Sequence, residues 1–222
     1  MDVIVSELIG KAVLGQAMAE ITGWCRDRFL APGGRMIPER VDLRVAPVET
    51  SEAYSRTRLP AGDIWGIDFS PFQRHSSSTP ISARVPSSSL LAASRIAYSY
   101  RAMSSPPVDI FDASLAFCAE RGGVLHALAA WFSSVLAEGV ELSNDAGETD
   151  SWDHLVFPLQ EPVPITAGTT ITVRLRGRGG GQTPLVWVWD TAVRRDGETL
   201  AEYRQSTFSS QMLFRQKPGQ IN

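Results

Sequence analysis

Short strand-like segments separated by turns recur through most of this 222-residue chain. From residue 40 onward, many of them alternate polar and apolar residues with a period of two, the pattern of a strand with one buried face. The predicted strands share this alternation or an apolar composition, and they cover 40–46, 81–85, 115–118, 123–135, 155–159, 169–175, 185–193 and 199–203. Turn residues, glycine above all, separate them. Such a series predicts a mainly β protein built as a barrel or a sandwich.

The first 34 residues have a different pattern. The β-branched run Val3–Val5 predicts a fully buried strand of a parallel sheet, and the apolar spacing over about 11–29 predicts a helix that ends at Pro32–Gly34. A strand followed by a helix is typical of the end of a doubly wound α/β sheet. Because a buried strand needs neighbours, we expect that sheet to be completed from elsewhere. The chain therefore divides into an α/β remnant, 1–34, and a β-barrel domain, 35–222.

The charge of the chain argues against some classes of partner. A formal net charge of −3 gives no general reason to expect nucleic acid or an anionic membrane. Arg174, Arg176 and Arg178 lie among glycines and are predicted to form a solvated loop. The sequence has no apolar run of about 18 residues, which a membrane span would need, and no signal-peptide pattern. We therefore expect a cytoplasmic protein.

The cysteines, histidines and tryptophans have structural interpretations. Cys25 and Cys118 are too few for a disulfide framework and lack partners at metal-ligand spacing, so we expect two reduced core residues and no metal site. His126 lies in an apolar strand and is predicted to be a satisfied core histidine, with an acid or base as the alternative. Trp187 and Trp189 share one strand face, which favours core packing over the alternative of an interface.

An ordered set of motifs extends over nearly the whole chain. In order, the motifs are Ser6-Glu7 followed by Gly10, Phe29–Gly34 followed by Pro38, Trp65–Ser70, Gly123–Phe132, and Trp152 followed by Val156-Phe157. This order resembles the protein arginine methyltransferases, in which a double-glutamate hairpin precedes a β-barrel. The resemblance implies that 1–34 is the remnant of a Rossmann-like methyltransferase domain and that about 48–63 forms a dimerisation arm.

The resemblance assigns two carboxylates to the substrate. Such a pair suits a guanidinium because it binds the planar cation through directed hydrogen bonds. Glu7 stands at the first position and is the implied catalytic and substrate-binding residue; the alternative is a loop glutamate that caps the following helix or pairs with Lys11. Gln16 stands at the second position and brings no charge. Glu20, one helical turn further, is either a substitute carboxylate or a surface residue.

The Thr-His-Trp loop of the family is also altered here. Ser151 replaces the histidine, so any proton relay or carboxylate pairing by that imidazole is lost. Trp152 is retained and either lines the substrate pocket or packs the barrel. The resemblance thus places Gln16, Ser151 and Trp152 beside Glu7 as substrate-binding residues. His154 follows two residues later and is expected on a different face.

The family's methyl donor, S-adenosylmethionine, is held by a glycine-rich loop between a strand and a helix. Gly177–Gly181 precedes another strand, so it fails this context test. We therefore expect S-adenosylmethionine to bind only when a methyl-donor half, the α/β unit that holds it, is supplied. The expected partners are a cationic, arginine-like nitrogen substrate and either a second copy joined through the arm or a separate methyl-donor chain.

Two functions remain open at this point. The first is the substrate-binding part of an S-adenosylmethionine-dependent, arginine-methyltransferase-like N-methyltransferase that is inactive without its methyl-donor half. The second is a non-catalytic β-barrel that binds partners or serves as a scaffold. Donor binding by the chain alone, and then by the chain mixed with a candidate partner, distinguishes them.

Overall fold

The computed structural model of the chain describes residues 1–10, 12–13, 16–59, 63–69, 72–145, 152–180 and 183–208. The helices in these ranges are α1 Met18–Phe29, α2 Ser51–Ser55 and α3 Gln73–Ser76. The strands are β1 Val3–Val5, β2 Arg35–Ile37, β3 Arg40–Val48, β4 Asp63–Ile64, β5 Ile67–Asp68, β6 Ile81–Ala83, β7 Arg95–Arg101, β8 Asp109–Cys118, β9 Gly123–Ala137, β10 Val140–Ser143, β11 His154–Ile165, β12 Thr170–Gly180, β13 Thr183–Arg195 and β14 Glu198–Ser206. No helix in the described ranges has the length and apolar character needed to cross a membrane.

Two antiparallel sheets form the body of the fold. One has the order β6-β11-β9-β3-β7, with β10 paired to β9, and the other has the order β14-β13-β12-β8. The sheets adjoin along two edges, because β7 lies beside β8 and β11 lies beside β14. This arrangement is barrel-like, and it confirms the mainly β fold predicted from the alternating pattern.

The barrel interior is filled by aromatic and branched side chains from both sheets. Trp187 and Trp189 point into it, and the ring of Phe157 lies 5.1 Å from the first and 5.3 Å from the second. The indole N–H of Trp189 donates to the carbonyl oxygen of Pro158 at 3.2 Å. The core position of the two tryptophans is therefore confirmed.

The arginine cluster predicted to be a loop lies in a strand. Arg174, Arg176 and Arg178 belong to β12, which extends to Gly180 because buried Leu175 and Gly177 continue its inward face. Arg174 makes a bidentate pair with Asp112 on β8, with bonds of 3.0 and 2.7 Å. The prediction from sequence therefore ended this strand too early, at residue 175, because glycines surround the arginines.

The cysteine prediction is wrong in part. Both thiols are free, as expected, but Cys25 is only half-buried and Cys118 is exposed. Cys118 is the last residue of β8, where the alternation of the strand turns Phe117 inward and Cys118 outward.

Helix α1 begins at Met18, well after the predicted start near residue 11. Val13 and Ala17 have positive φ angles of 67° and 53°, which an α-helix does not accommodate. The N–H of Val13 instead donates to the carbonyl of Gly10 at 3.0 Å, which makes a tight turn. Residues 11, 14 and 15 lie outside the described residues.

Strand β1 pairs in parallel with β2, with Ile4 opposite Met36. The prediction that β1 is fully buried is wrong for this chain, because Val3 and Val5 are 49% and 70% exposed. Within the described ranges, β2 is the only strand paired with β1, so the second edge of β1 is open.

Candidate functional site

The two positions predicted to bind the substrate cation lie on either side of the turn between β1 and α1. Glu7 follows β1 directly, where the N–H of Ser6 holds the chain to the carbonyl of Ile37 at 2.9 Å. Gln16 comes just before α1. Both side chains are exposed, and neither has a hydrogen-bond or ion-pair partner in the part of the chain that the structure describes. Glu7 is therefore available to an incoming cation.

A carboxylate that the sequence analysis missed lies at the start of α1. Asp109, the first residue of β8, accepts a hydrogen bond from the N–H of Ala19 at 3.3 Å. It caps the helix from the barrel side, which Ala17 at the N-cap position has no side-chain oxygen to do. The only sequence signal was the inward position of Asp109 in the alternation of β8.

Asp109 is buried and incompletely paired. Asp109 is 1% exposed, and its Oδ2 atom has no hydrogen-bond partner among the described residues. Burial raises the pKa of its carboxyl, the hydrogen bond from Ala19 opposes that rise, and the charge of Glu20 adds to it. Burial together with the charge of Asp109 also raises the pKa of Tyr98 to about 12. The surroundings of Asp109 therefore disfavour negative charge.

We predict that Asp109→Asn is more stable than the wild type at pH 7, by roughly 1 kcal/mol, because it retains an acceptor for Ala19 without a buried charge. In the wild type the folded state takes up a proton before the unfolded state does as the pH falls. The contribution of Asp109 to stability therefore rises from neutral pH down to the unfolded pKa of about 3.9. Urea unfolding at a series of pH values measures both effects.

Asp112→Asn is the matched control for that experiment. Asp112 lies on the same strand, but its hydrogen bond and ion pair with Arg174 lower the pKa of its carboxyl. Its contribution therefore has the opposite sign and is lost as the pH falls through the lowered pKa. An Asp109→Asn variant that is less stable than the wild type at pH 7 would show that the buried charge of Asp109 does not lower the free energy of unfolding.

The face of α1 that meets the barrel is small and polar. The hydroxyl groups of Thr22 and Tyr100 lie 2.6 Å apart, and the Arg26 guanidinium donates to the carbonyl of Ala102 at 2.9 Å. Gly23 permits close approach, since a Cβ there would lie 2.7 Å from the Cβ of Pro107. Polar contacts and a glycine thus fix α1 to the segment between β7 and β8.

The side of α1 that faces solvent carries large apolar side chains among charged ones. The sequence predicted one apolar face, but Met18 is buried while Ile21, Trp24 and Phe29 are exposed. The rings of Trp24 and Phe29 contact each other edge to face at 5.2 Å. With the exposed residues of β1 this face makes up the α1–β1 surface, formed by Met1, Val3, Val5, Ile21, Trp24 and Phe29.

The tryptophan loop is described only in part. Ser151 lies outside the described residues, while Trp152 is half-buried with its ring 5.4 Å from Phe132 at an interplanar angle of 88°. His154 is buried, accepts at Nδ1 from the N–H of Val85 at 2.9 Å, and lies with Nε2 2.8 Å from the carbonyl of Asn144. Because Nδ1 accepts, Nε2 carries the proton and donates. His154 is therefore fully engaged and is not a free acid or base.

His126 holds the predicted arm rather than filling the core. It is half-buried, its Nδ1 accepts from the N–H of Thr50 at 3.3 Å, and its ring lies 5.5 Å from that of Tyr54. The Tyr54 hydroxyl donates to the carbonyl of Gln160 at 3.1 Å, which seats α2 on the barrel. Just beyond the predicted arm, Trp65 is 95% exposed at the turn between β4 and β5.

The described residues do not fit S-adenosylmethionine. They contain one parallel strand pair, β1 with β2, and the turn between β1 and α1 has no Gly-x-Gly sequence. An N–H at the start of α1 is already bound to the carboxylate of Asp109. In the same ranges there is also no group of three or more histidine, cysteine, aspartate or glutamate residues placed to hold a metal.

Comparison with known proteins gives relatives of one kind. The chain is 26% identical over 176 residues to protein arginine N-methyltransferase 1 of Schizosaccharomyces pombe, which covers 77% of this chain and 52% of the relative. It is 27% identical over 179 residues to an arginine N(omega)-methyltransferase of Streptomyces achromogenes, covering 79% and 48%. The chain thus spans about half the length of these two relatives. No protein-family model matches it.

The fold has a close counterpart among solved structures. A chain of the Trypanosoma brucei PRMT1 enzyme–prozyme heterotetrameric complex with AdoHcy superposes with a TM-score of 0.79 at 18% identity, covering 92% of this chain and 68% of that one. The order of motifs, the relatives and the shared barrel agree. Over this barrel-containing portion, the chain is similar in sequence and in fold to the protein arginine methyltransferases.

Proposed function

We propose that this chain is the substrate-side part of an arginine-methyltransferase-like N-methyltransferase, completed by a methyl-donor half that packs on the α1–β1 surface. That half belongs either to the same polypeptide or to a separate one. One observation carries the proposal: the strand and helix on either side of Glu7 and Gln16 present an open parallel-strand edge and large apolar side chains to solvent.

The open edge of β1 requires a neighbour. Parallel strands occur almost always inside sheets covered on both faces, and an open apolar edge favours unwanted pairing. Val3 and Val5 have the composition of such a covered strand, yet they are exposed here. A further parallel strand paired with β1 supplies the missing hydrogen bonds, and helices beside it cover the valines.

The exposed face of α1 supports the same partner. Helices normally bury their apolar face, and contiguous exposed apolar patches mark interaction sites. In α1 the buried residues are Met18, Ala19, Thr22 and Gly23, whereas the large apolar residues Ile21, Trp24 and Phe29 are exposed. Because this face adjoins β1, where the N–H of Ala31 bonds to the carbonyl of Met1 at 2.8 Å, one α/β unit can cover both.

The substrate that this site favours is a cationic nitrogen. Glu7 is exposed and unpaired among the described residues, as a carboxylate awaiting a cation must be. Gln16 accepts a hydrogen bond but gives no charge, so the site binds a guanidinium more weakly than a pair of carboxylates does. The Streptomyces relative is named for arginine itself, which supports a guanidinium on a small molecule as well as one on a protein.

The neutral Gln16 favours a second candidate function, a non-catalytic subunit that binds a partner. A Trypanosoma neighbour is described as an enzyme–prozyme complex, which is a precedent for an assembly of unlike chains. In this case the α1–β1 surface still docks an α/β partner, but Glu7 takes no part in turnover. We also propose that the arm serves self-association, together with Trp65 just beyond it, which is almost fully exposed at a hairpin turn.

Calorimetric titration with S-adenosylmethionine tests the main proposal. We expect no tight binding to the chain alone, and binding with methyl transfer to arginine after addition of its methyl-donor half, taken from the adjacent coding region or copurified from the source cells. In that complex, Glu7→Gln should reduce turnover at least about a hundredfold. Gln16, at the position of the second carboxylate, is also neutral, so the variant would have no negative charge at either position.

Glu198→Gln, a change at an exposed glutamate on β14, is the control and should leave turnover unchanged. A complex that binds the donor but gives the same turnover with Glu7→Gln would remove Glu7 from the site. A complex that forms but never transfers a methyl group would establish the non-catalytic function instead. Tight donor binding by the isolated chain would contradict both.

A further inference from the structure

Hydrogen bonds of His154 and Asn144 tie three separate backbone segments together. The N–H of Val85 donates to Nδ1 of His154 at 2.9 Å, and Nε2 of His154 donates to the carbonyl of Asn144 at 2.8 Å. The side-chain oxygen of Asn144 in turn accepts from the N–H of Phe132 at 2.8 Å. We call this set the Asn144–His154 clamp.

The clamp is buried and fully engaged at its centre. His154 is 3% exposed and Asn144 is 1% exposed. A histidine with both ring nitrogens bonded in one tautomer has a fixed ring orientation, and loss of either bond leaves a buried backbone group without its partner. The ring of Trp131, 5.8 Å away and edge to face, also limits its rotation.

The clamp closes the ends of the segment that carries Trp152. Asn144 comes before this segment and His154 after it, and the Asn144 amide also reaches the carbonyl of Asp153 at 3.4 Å. Trp152 packs edge to face on Phe132, the residue whose N–H the clamp holds. The position of the Trp152 indole therefore depends on Asp153, which follows it in sequence, and on Phe132, which packs against its ring. The clamp forms hydrogen bonds to the backbone of both residues.

We propose that His154 is a positioning residue for Trp152, and that it sets the orientation of the indole presented to the cationic substrate. The substrate part of this statement rests on the proposed function; the positioning part does not. The sequence has serine at 151, where the family motif that it resembles has histidine, and His154 lies two residues after Trp152. It acts through hydrogen bonds to backbone, without touching the reacting atoms.

Fluorine NMR of protein labelled with 5-fluorotryptophan tests the positioning. The chain has six tryptophans, and loss of one signal in Trp152→Phe identifies the resonance of Trp152. We expect His154→Ala to shift and broaden that resonance. His154→Gln should restore it, because a glutamine amide can accept from Val85 and donate to Asn144 as the imidazole does.

His126→Ala is the matched control, since it removes another histidine–backbone bond at the arm and should leave the Trp152 resonance in place. If His154→Ala does not fold, the less disruptive His154→Asn decides, because its shorter side chain cannot span both bonds and should still move the resonance. A Trp152 signal that is unchanged while the unfolding temperature falls would show that His154 only stabilises the fold. A glutamine variant displaced as far as the alanine or asparagine variant would equally overturn the proposal.

Discussion

Replacing Trp24 with aspartate should weaken the association of this chain with the proposed methyl-donor half by at least about thirtyfold. Tryptophans at the centre of an interface commonly contribute about 2 kcal/mol or more to binding, and that energy corresponds to this ratio. Trp24 is 55% exposed, contacts the ring of Phe29 edge to face and has the Arg28 guanidinium 5.6 Å from its ring centroid. An aspartate at this position would lose the indole contacts and would have to lose its hydration in the complex.

The same substitution should leave the isolated chain folded, with its free energy of unfolding within about 0.5 kcal/mol of the wild type. Calorimetry of the two halves gives the affinity, and urea unfolding gives the stability. Val140→Asp, at a half-exposed valine on β10, is the control for loss of an exposed apolar residue. Equal affinities for the Trp24 variant and the wild type would place the docking surface elsewhere.

Replacing Trp189 with alanine should have the largest effect on stability, a loss of about 4 kcal/mol in the free energy of unfolding. Trp189 is completely buried, contacts the ring of Phe157 and bonds to the carbonyl of Pro158. Its removal leaves a large cavity where the two sheets pack together and deletes one of the two side-chain hydrogen bonds that the Pro158 carbonyl accepts, the other coming from Gln205. Urea unfolding followed by circular dichroism measures the change.

Trp24→Ala is the matched control, because it deletes the same indole from the surface and should cost much less. Trp189→Phe keeps a ring in the cavity but cannot donate to Pro158, and should fall between the wild type and the alanine variant. A Trp189→Ala variant as stable as Trp24→Ala would mean that the two sheets do not share the tightly packed core described above.

The barrel was predictable because its signal is local. Period-two alternation is written into segments such as 40–46 and 185–193, and burial of one face then requires an antiparallel, two-layered arrangement. The observed strands β3 and β13 contain both segments. β7 was missed because Arg95–Arg101 mixes tyrosines with serine and arginine, and its inward positions are only partly apolar.

The features that were mispredicted depend on contacts distant in sequence or on special backbone angles. The start of α1 is set by left-handed Val13 and Ala17, which apolar spacing cannot reveal. The strand character of Arg176 and Arg178, at the end of β12, was hidden by the glycines around them. Asp109 meets Ala19 across 90 positions of sequence, so no local pattern points to their contact. Glu7, Gln16 and Trp152 came from motif order alone, and their roles remain predictions.

The inverted amphipathicity of α1 has a consequence for how cells make this protein. A copy that lacks its methyl-donor half carries indole, phenyl and valine groups that water excludes, next to a strand edge able to recruit any other strand. Two such copies can associate through their exposed α1–β1 surfaces. If the proposed methyl-donor half is a separate polypeptide, the two must be made together, so that each new chain binds its partner before it self-associates.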